Sequence, residues 1–222
     1  MCGRFSQREA AEIYAAKMGW VSVPAADIGG GLKYNIPPGT YPMVLHQLND
    51  KPVIERQFWG YKPHWYKRSP VINARLDTIL KGSPMWKPLL SKRVIIPADG
   101  WFEWTGEKGD KQPWFIHAKN EEPIFMAGIT ARDPGKEEDD TYGFAIITDD
   151  SAGGMVDIHD RRPIVLTQDD AKEWLDLSMS TDKALEILST ARPEDAFRWW
   201  QVTRKMGSSS YQKPDANEPL SV

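Results

Sequence analysis

Apolar residues near the amino terminus recur at the spacing of a helix. They are Ala10, Ile13, Tyr14 and Met18. Ser6 followed by Glu9 matches a capping box, and Gly19 is suited to end the helix. The sequence therefore predicts a helix that begins almost immediately after Cys2, so that the short segment before the helix is anchored close to the body of the protein.

Most of the remaining chain consists of short apolar runs separated by turns, a pattern that predicts strands. The predicted strands span residues 41–46, 52–59, 71–74, 93–96, 101–104, 114–118, 123–130, 142–148, 163–167 and 198–202. Helices are predicted near 76–80, from 167 to about 177 and over 181–190. Strands outnumber helices without regular alternation, which favours an α+β fold with a largely antiparallel, barrel-like sheet and flanking helices. We expect a single domain over 1–222, with 207–222 as a loose tail.

The composition excludes several classes of protein. A net charge of −3 argues against a protein that coats nucleic acid by bulk charge, so a nucleic-acid site has to be a local basic patch. No stretch approaches the ~18 apolar residues of a membrane span, and the first ten residues lack the apolar core of a secretory signal. The single cysteine cannot form an internal disulfide, which favours a reducing, cytoplasmic location.

Cys2 carries the most distinctive chemistry. Its small side chain favours removal of Met1 by an aminopeptidase, which leaves an α-amine and a thiol on one residue. Their reference pKa values, about 7.7–8.0 and about 8.5, leave both groups partly deprotonated near neutral pH. An amine condenses with an aldehyde to a Schiff base, and a neighbouring thiol can close onto that imine to give a thiazolidine. An unpaired cysteine is more often a small buried hydrophobe, but position 2 favours the reactive interpretation.

Two further segments hold groups suited to proton transfer. Over 97–104, alternation along a strand places Trp101 and Glu103 on one face, where the indole desolvates the carboxylate and raises its pKa. Over 157–162, five of six residues are charged or titratable, and His159 can exchange a proton with a reacting oxygen. A surface glutamate and a solvated, ion-paired loop are the alternatives. The other histidines are scattered, so the sequence indicates neither a metal site nor a cofactor.

Two segments have the composition of a nucleic-acid surface. Alternation places Asn73 and Arg75 on the same face of a short strand, where the guanidinium suits a phosphate. Over 61–68 (YKPHWYKR), aromatic rings are interleaved with cations, as in sites where bases of a single strand stack and phosphates meet cations. An exposed loop pinned by its aromatic rings is the alternative for this second segment.

Six blocks together resemble the SRAP (SOS-response-associated peptidase) family. The blocks are MCGRF at 1–5, YNIPPGT at 34–40, FWGY at 58–61, INAR at 72–75, PADGWFEW at 97–104 and DIHDRRP at 157–163. They follow the family's order over residues 1 to about 165, whereas the region after 203 matches poorly. Asp77 stands where we expect Glu, and Tyr66 stands where a second Trp is common.

The resemblance implies the SRAP fold and covalent attachment to abasic sites in single-stranded DNA, including sites at junctions with a duplex. In that picture Cys2 forms the thiazolidine with the sugar aldehyde, and Asn73 hydrogen-bonds the linkage. Glu103 and His159 transfer protons. The residues implied to bind DNA are Arg4, Pro38, Trp65, Tyr66, Arg75 and Arg161. The resemblance also implies autoproteolysis that exposes Cys2, and weak lyase activity is a sensible side reaction of the Schiff base. We further expect a cytoplasmic monomer that associates with the nucleoid when engaged on DNA.

Two other functions fit the same residues. A thiol peptidase would use Cys2 as nucleophile and His159 as base, and it would cleave peptides other than its own amino terminus. A non-covalent single-strand-binding module would use the loop around Trp65, and its binding would be salt-sensitive and independent of Cys2. The acidic net charge makes this module the least attractive of the three functions.

Overall fold

Strands dominate the structure, a computed structural model that describes residues 2–20, 33–132 and 142–220. The strands are β1 (Phe5–Gln7), β2 (Lys33–Ile36), β3 (Met43–Leu48), β4 (Lys51–Arg56), β5 (Asn73–Arg75), β6 (Arg93–Ala98), β7 (Gly100–Thr105), β8 (Gln112–Ala118), β9 (Ile124–Thr130), β10 (Phe144–Asp150), β11 (Arg161–Pro163), β12 (Val165–Leu166) and β13 (Phe197–Gln201). The α-helices are α1 (Ala11–Lys17), α2 (Leu76–Leu80), α3 (Gln168–Leu175) and α4 (Thr181–Ile187). None of the helices in these ranges is long and apolar enough to cross a membrane.

The strands form two sheets. One has the order β13-β8-β7-β1-β2, and the other has the order β11-β10-β9-β6-β3-β4, with β12 paired to β9 and β5 paired to β10. The pairings are antiparallel except that of β5 with β10. The α+β class and the largely antiparallel sheet are therefore confirmed. Within the described residues, however, the strand orders are open and no closed barrel forms.

Local sequence explains several element boundaries. The sequence Asn49-Asp50 between two apolar runs is typical of a hairpin turn, and both residues adopt positive φ in the two-residue turn that joins β3 to β4. The side chain of Thr167 accepts a hydrogen bond from the Asp170 amide and caps α3. The predicted capping box at Ser6 is wrong, because Ser6 lies in β1 and α1 begins at Ala11 after an N-cap without a side-chain hydrogen bond.

The apolar side chains fill three layers. One layer lies between the second sheet and the α-helices, and includes Ile95 and Trp174. The next lies between the two sheets, where strand alternation turns Val94 and Trp101 toward each other's sheet. Phe102, on the opposite face of β7 from Trp101, packs beneath the carboxyl-terminal segment in the third layer.

The carboxyl-terminal segment is packed, so the prediction of a loose tail is wrong for residues 207–220. Ala216 is fully buried, and the Leu220 amide donates to the carbonyl oxygen of Gln201. The Trp200 indole donates to the carbonyl oxygen of Asn217. The turn-rich composition of this segment predicted disorder, but the outer face of the first sheet needs an apolar cover, and this segment supplies it.

Candidate active site

Cys2 is fixed within the fold. The strand that follows it, β1, pairs with both β2 and β7, with Phe5 opposite Ile36 and Trp101. The Phe102 amide donates to the carbonyl oxygen of Arg4 at 2.9 Å, which extends this pairing toward Cys2. Cys2 itself is fully buried. The expectation that this segment is anchored to the body of the protein is therefore confirmed.

Asn73 reaches Cys2 from the other sheet. It lies at the start of β5, opposite Ile146 of β10, and its side chain is almost fully buried. Its Nδ2 donates to the carbonyl oxygen of Cys2 at 2.9 Å. Its Oδ1 is buried and accepts no hydrogen bond from a described residue. An amide with one committed donor and one open acceptor is suited to holding a donor group of a bound molecule.

Burial keeps the Cys2 thiol protonated. Removal of the sulfur from water raises the thiol pKa, and the negative charge of Glu103 raises it further. The Sγ atom lies 4.0 Å from the carbonyl oxygen of Arg4, a weak contact for a thiol donor. A thiol peptidase needs the opposite environment, one that lowers the pKa of its nucleophile.

Glu103 is buried on β7, where the sequence predicts a desolvated carboxylate. Its exposed fraction is 3%, and burial raises its pKa to about 7. It lies two residues beyond Trp101, on the face of β7 that meets the second sheet. A carboxyl group that titrates near pH 7 can both donate and accept protons under physiological conditions.

His159 lies beside Glu103. Its Nε2 atom is 4.0 Å from Oε2 of Glu103, and burial lowers its pKa. Its Nδ1 atom accepts from the Arg161 amide at 3.0 Å and lies 2.8 Å from Oδ1 of Asp160. The first contact suits a neutral ring with its proton on Nε2, whereas the second suits a ring protonated on Nδ1. The Arg161 amide therefore stabilises the neutral ring of His159, and the Asp160 carboxylate stabilises the protonated ring.

The three arginines implied to bind DNA all have partners. Arg4 is half-buried, and its Nη1 donates to Oδ1 of Asn35 at 2.8 Å. Arg75 forms a two-point ion pair with Asp77, with distances of 2.9 Å and 3.1 Å. Arg161 lies 2.9 Å from Asp150. Each guanidinium is thus held in one orientation, and a phosphate has to compete with or add to its present partner.

The other implied DNA contacts lie at the surface. Trp65 is 59% exposed, and its ring meets that of Tyr66 edge-on at 6.1 Å between centroids. Backbone hydrogen bonds between Tyr61 and Val71 close the base of their loop. Pro38 follows β2 in a turn and is partly exposed. The structure does not bring Trp65, Tyr66 or Pro38 into a described contact with Cys2.

Three polar residues near the site were not identified from the sequence. Asp99 accepts from the Ser6 hydroxyl at 3.1 Å, the Arg8 amide at 2.6 Å and the Tyr14 hydroxyl at 3.2 Å. Asn35 ties Arg4 to the carboxyl-terminal segment. Thr148 lies opposite Arg75 on β10, with a buried hydroxyl that has no partner among the described residues. No local motif marks Asp99 or Asn35, because their partners are distant in sequence.

Comparison with known proteins identifies the family. The model of the SRAP (SOS response associated peptidase) family matches residues 1–209. The chain belongs to the SRAP family. Abasic site processing protein YedK of Escherichia coli K12 is 38% identical, over 99% of this chain and 100% of YedK. Abasic site processing protein HMCES of Gallus gallus is 31% identical, over 74% of this chain and 56% of HMCES.

Solved structures of SRAP-like chains have the same fold. A phage-related protein from Bordetella bronchiseptica has a TM-score of 0.82 and 43% identity, over 96% of this chain and 100% of that protein. A protein from Bacteroides thetaiotaomicron has a TM-score of 0.78 and 26% identity, over 98% and 99% of the two chains. The SRAP fold expected from the six sequence blocks is therefore confirmed.

Proposed function

We propose that this SRAP protein forms a covalent link with abasic sites in single-stranded DNA through Cys2. The observation that carries the proposal is that side chains from both sheets lie close to Cys2. Asn73 of the second sheet holds the Cys2 carbonyl at 2.9 Å, while Glu103 on β7 lies close enough for its charge to raise the pKa of the Cys2 thiol. The names of YedK and HMCES, both abasic site processing proteins, support this class of substrate.

The chemistry begins with removal of Met1, which lies outside the described residues. One water hydrolyses the Met1–Cys2 peptide bond and frees the Cys2 amine. This amine adds to the C1′ aldehyde of the ring-opened sugar, and loss of one water from the carbinolamine gives an imine. The Cys2 sulfur then bonds to the imine carbon while the thiol proton passes to the nitrogen, which closes the thiazolidine. Relative to the processed protein and the DNA, the net change is the loss of one water.

Each neighbouring group has a role in this sequence. Glu103, with a pKa of about 7, donates the proton that converts the carbinolamine hydroxyl into water, and it takes that proton back on reversal. His159 assists at the sugar oxygen during ring opening. The open acceptor of Asn73 receives a hydrogen bond from the Cys2 nitrogen in the linkage. Arg4, Arg75 and Arg161 hold phosphates, and Trp65 with Tyr66 engages bases next to the lesion.

Ring closure protects the strand. An imine withdraws electrons from the sugar and promotes β-elimination of the 3′ phosphate, whereas the saturated carbon of a thiazolidine does not. Incomplete closure therefore gives weak lyase activity as a side reaction.

Intact-protein mass spectrometry with an oligonucleotide that carries one abasic site tests the proposal. We expect a starting mass without Met1, followed by a gain equal to the oligonucleotide less one water. Cys2→Ala keeps the amine but lacks the thiol, so its adduct should survive denaturation only after reduction with borohydride. A processed wild-type protein that gains no mass, or a Cys2→Ala protein that forms the stable adduct as well as wild type, would overturn the proposal.

A further inference from the structure

An open cleft lies beside β2, with a volume of about 500 Å³. Its walls come from β2, the turn that follows it, the end of β4 and the carboxyl-terminal segment. The residues that matter for its chemistry are Lys33, Thr40, Tyr41, Arg56, Ser209 and Ser210. A volume of this size is within the range of sites that bind small ligands.

The charge of this cleft differs from that of the molecule. Among the described residues, its lining contains the cations Lys33 and Arg56 and no carboxylate, although the chain has a net charge of −3. Two other cavities hold both signs of charge: Glu122 lies with Lys17 and Arg192 in one, and Glu55 lies with Lys92, Arg93 and Arg132 in the other. Lys33 is exposed and forms no ion pair with a described residue. The cleft is therefore a local basic patch, the feature that an acidic protein needs in order to bind a polyanion.

The cleft adjoins the Cys2 segment. Because β1 and β2 are antiparallel, with Phe5 opposite Ile36, the residues after Ile36 run beside those before Phe5. Asn35, in the wall of the cleft, accepts the hydrogen bond from Arg4. The cleft is therefore one of the surfaces along which a DNA strand with its lesion at Cys2 can continue.

We propose that this cleft binds a nucleotide that flanks the abasic site, with Lys33 and Arg56 receiving its phosphate. The inference rests on the proposed function and adds a second binding subsite to it. Tyr41, Thr40, Ser209 and Ser210 line the rest of the cleft, which gives it aromatic and hydroxyl-bearing residues beside the two cations. The Nη1 atom of Arg56 donates to the carbonyl oxygen of Tyr41 at 2.8 Å, which orients the guanidinium within the cleft.

Fluorescence anisotropy with strands that carry a tetrahydrofuran abasic analogue tests this subsite. The analogue has no aldehyde, so the measurement reports affinity without covalent chemistry. One strand has long arms on both sides of the lesion, and two others lack either the 5′ or the 3′ arm. Lys33→Gln is the test variant because Lys33 is exposed and has no ion pair to lose within the described part of the chain. Lys51→Gln is the control, since Lys51 is also exposed but lies at the opposite end of β4 from Arg56.

We expect Lys33→Gln to weaken binding of the long strand roughly fivefold and to reduce the slope of log affinity against log salt by about 0.7. The loss of affinity caused by Lys33→Gln should disappear when the strand lacks the arm that occupies the cleft. It should remain when the strand lacks the other arm. Lys51→Gln should bind each strand as the unaltered protein does. Equal losses for the two variants, or a Lys33→Gln effect that persists on both shortened strands, would overturn the subsite. Because the analogue cannot react, these outcomes do not depend on whether Cys2 forms a covalent link.

Discussion

The side-chain amide of Asn73 donates a hydrogen bond of 2.9 Å to the carbonyl oxygen of Cys2. The two residues belong to different sheets, since the Cys2 segment leads into β1 while Asn73 begins β5. The bond therefore fixes the position of Cys2 relative to the second sheet. Because the acceptor atom Oδ1 of this amide is open within the described part of the chain, the same residue can contact both the protein and the proposed linkage.

Replacement of Asn73 by Ala should slow formation of the covalent adduct by at least tenfold, since the Cys2 carbonyl and the linkage both lose a partner. Loss of a buried hydrogen bond should also reduce the free energy of unfolding, by about 1–3 kcal/mol. Single-turnover crosslinking and urea denaturation measure the two effects. The matched control is Asn49→Ala, which alters a surface turn far along β3 from the site and should leave crosslinking unchanged. Unaltered crosslinking by Asn73→Ala would mean that Asn73 has only a structural role.

Replacement of Glu103 by Gln should change the pH dependence of crosslinking. Glu103 has to be protonated to donate to the leaving hydroxyl, and its pKa is about 7, so the wild-type rate should fall as pH rises beyond 7. Glutamine cannot transfer a proton, so the variant should be slower and should lack this descending limb. Crosslinking rates from pH 5 to pH 9 at saturating DNA measure the profile. A descending limb that persists in Glu103→Gln would assign it to another group.

The same substitution should alter the pH dependence of stability. The folded-state pKa of Glu103, about 7, is above the ordinary glutamate value of 4.5. Between these values the unfolded chain releases a proton that the folded chain retains, so wild-type stability should decrease as pH rises from about 4.5 to about 7. Relative to wild type, Glu103→Gln should gain on the order of 3 kcal/mol across this window. Denaturation at pH 4 and pH 8 measures the difference, and equal differences at both values would contradict the burial argument.

The sequence predicts those features of the site that depend on residues close together in the chain, and it predicts poorly those that depend on distant residues. Strand alternation correctly indicates that Glu103 is desolvated, because its neighbour Trp101 lies on the same face two residues away. The turn at Asn49-Asp50 is also local, since its geometry depends on those two residues. The contact of Glu103 with His159 is 56 residues distant in sequence, and the family resemblance, rather than periodicity, indicated that both act at one place.

Asn35 shows why the remaining features were missed. Its Nδ2 donates to the carbonyl oxygens of Met206, Ser208 and Tyr211, while its Oδ1 accepts from Arg4. These partners lie up to 176 residues away, and most are backbone groups that any residue type can supply. A pattern of side chains cannot report such contacts, so the carboxyl-terminal segment was interpreted as a loose tail.

Replacement of Asn35 by Ala should destabilise the protein by roughly 2–4 kcal/mol, because several buried hydrogen-bonding groups lose their partner. It should also slow crosslinking, since Arg4 loses its shortest hydrogen bond, 2.8 Å to Asn35, and within the described residues keeps only contacts of 3.3 Å and 3.4 Å with the carbonyl oxygens of Met206 and Gly207. Asn217→Ala is a suitable control because Asn217 is buried in the carboxyl-terminal segment that Asn35 contacts, but its side chain has no partner among the described residues. In thermal denaturation and crosslinking assays, Asn35→Ala should therefore be less stable and slower than Asn217→Ala. Similar behaviour would show that the Asn35 contacts contribute little.

The ion pair between Arg75 and Asp77 leads us to expect that one substitution will increase the affinity for DNA. Both side chains are partly exposed, and Nε and Nη2 of Arg75 are bonded to the two carboxylate oxygens of Asp77. If Arg75 receives a phosphate, the Asp77 carboxylate competes for the same guanidinium and repels the strand. We expect Asp77→Asn to tighten non-covalent binding of single-stranded DNA two- to fivefold, and more so at low salt.

The competing possibility is that Asp77 holds Arg75 in the orientation that a phosphate needs. In that case Asp77→Asn would weaken binding even though it removes a negative charge. Asp182→Asn, an exposed substitution of the same charge at the start of α4, corrects for the change in net charge. Arg75→Gln in the Asp77→Asn background completes the comparison, because the gain from Asp77→Asn should disappear when no guanidinium remains to be released. A gain that survives loss of Arg75 would indicate that Asp77 acts on the DNA directly through its charge.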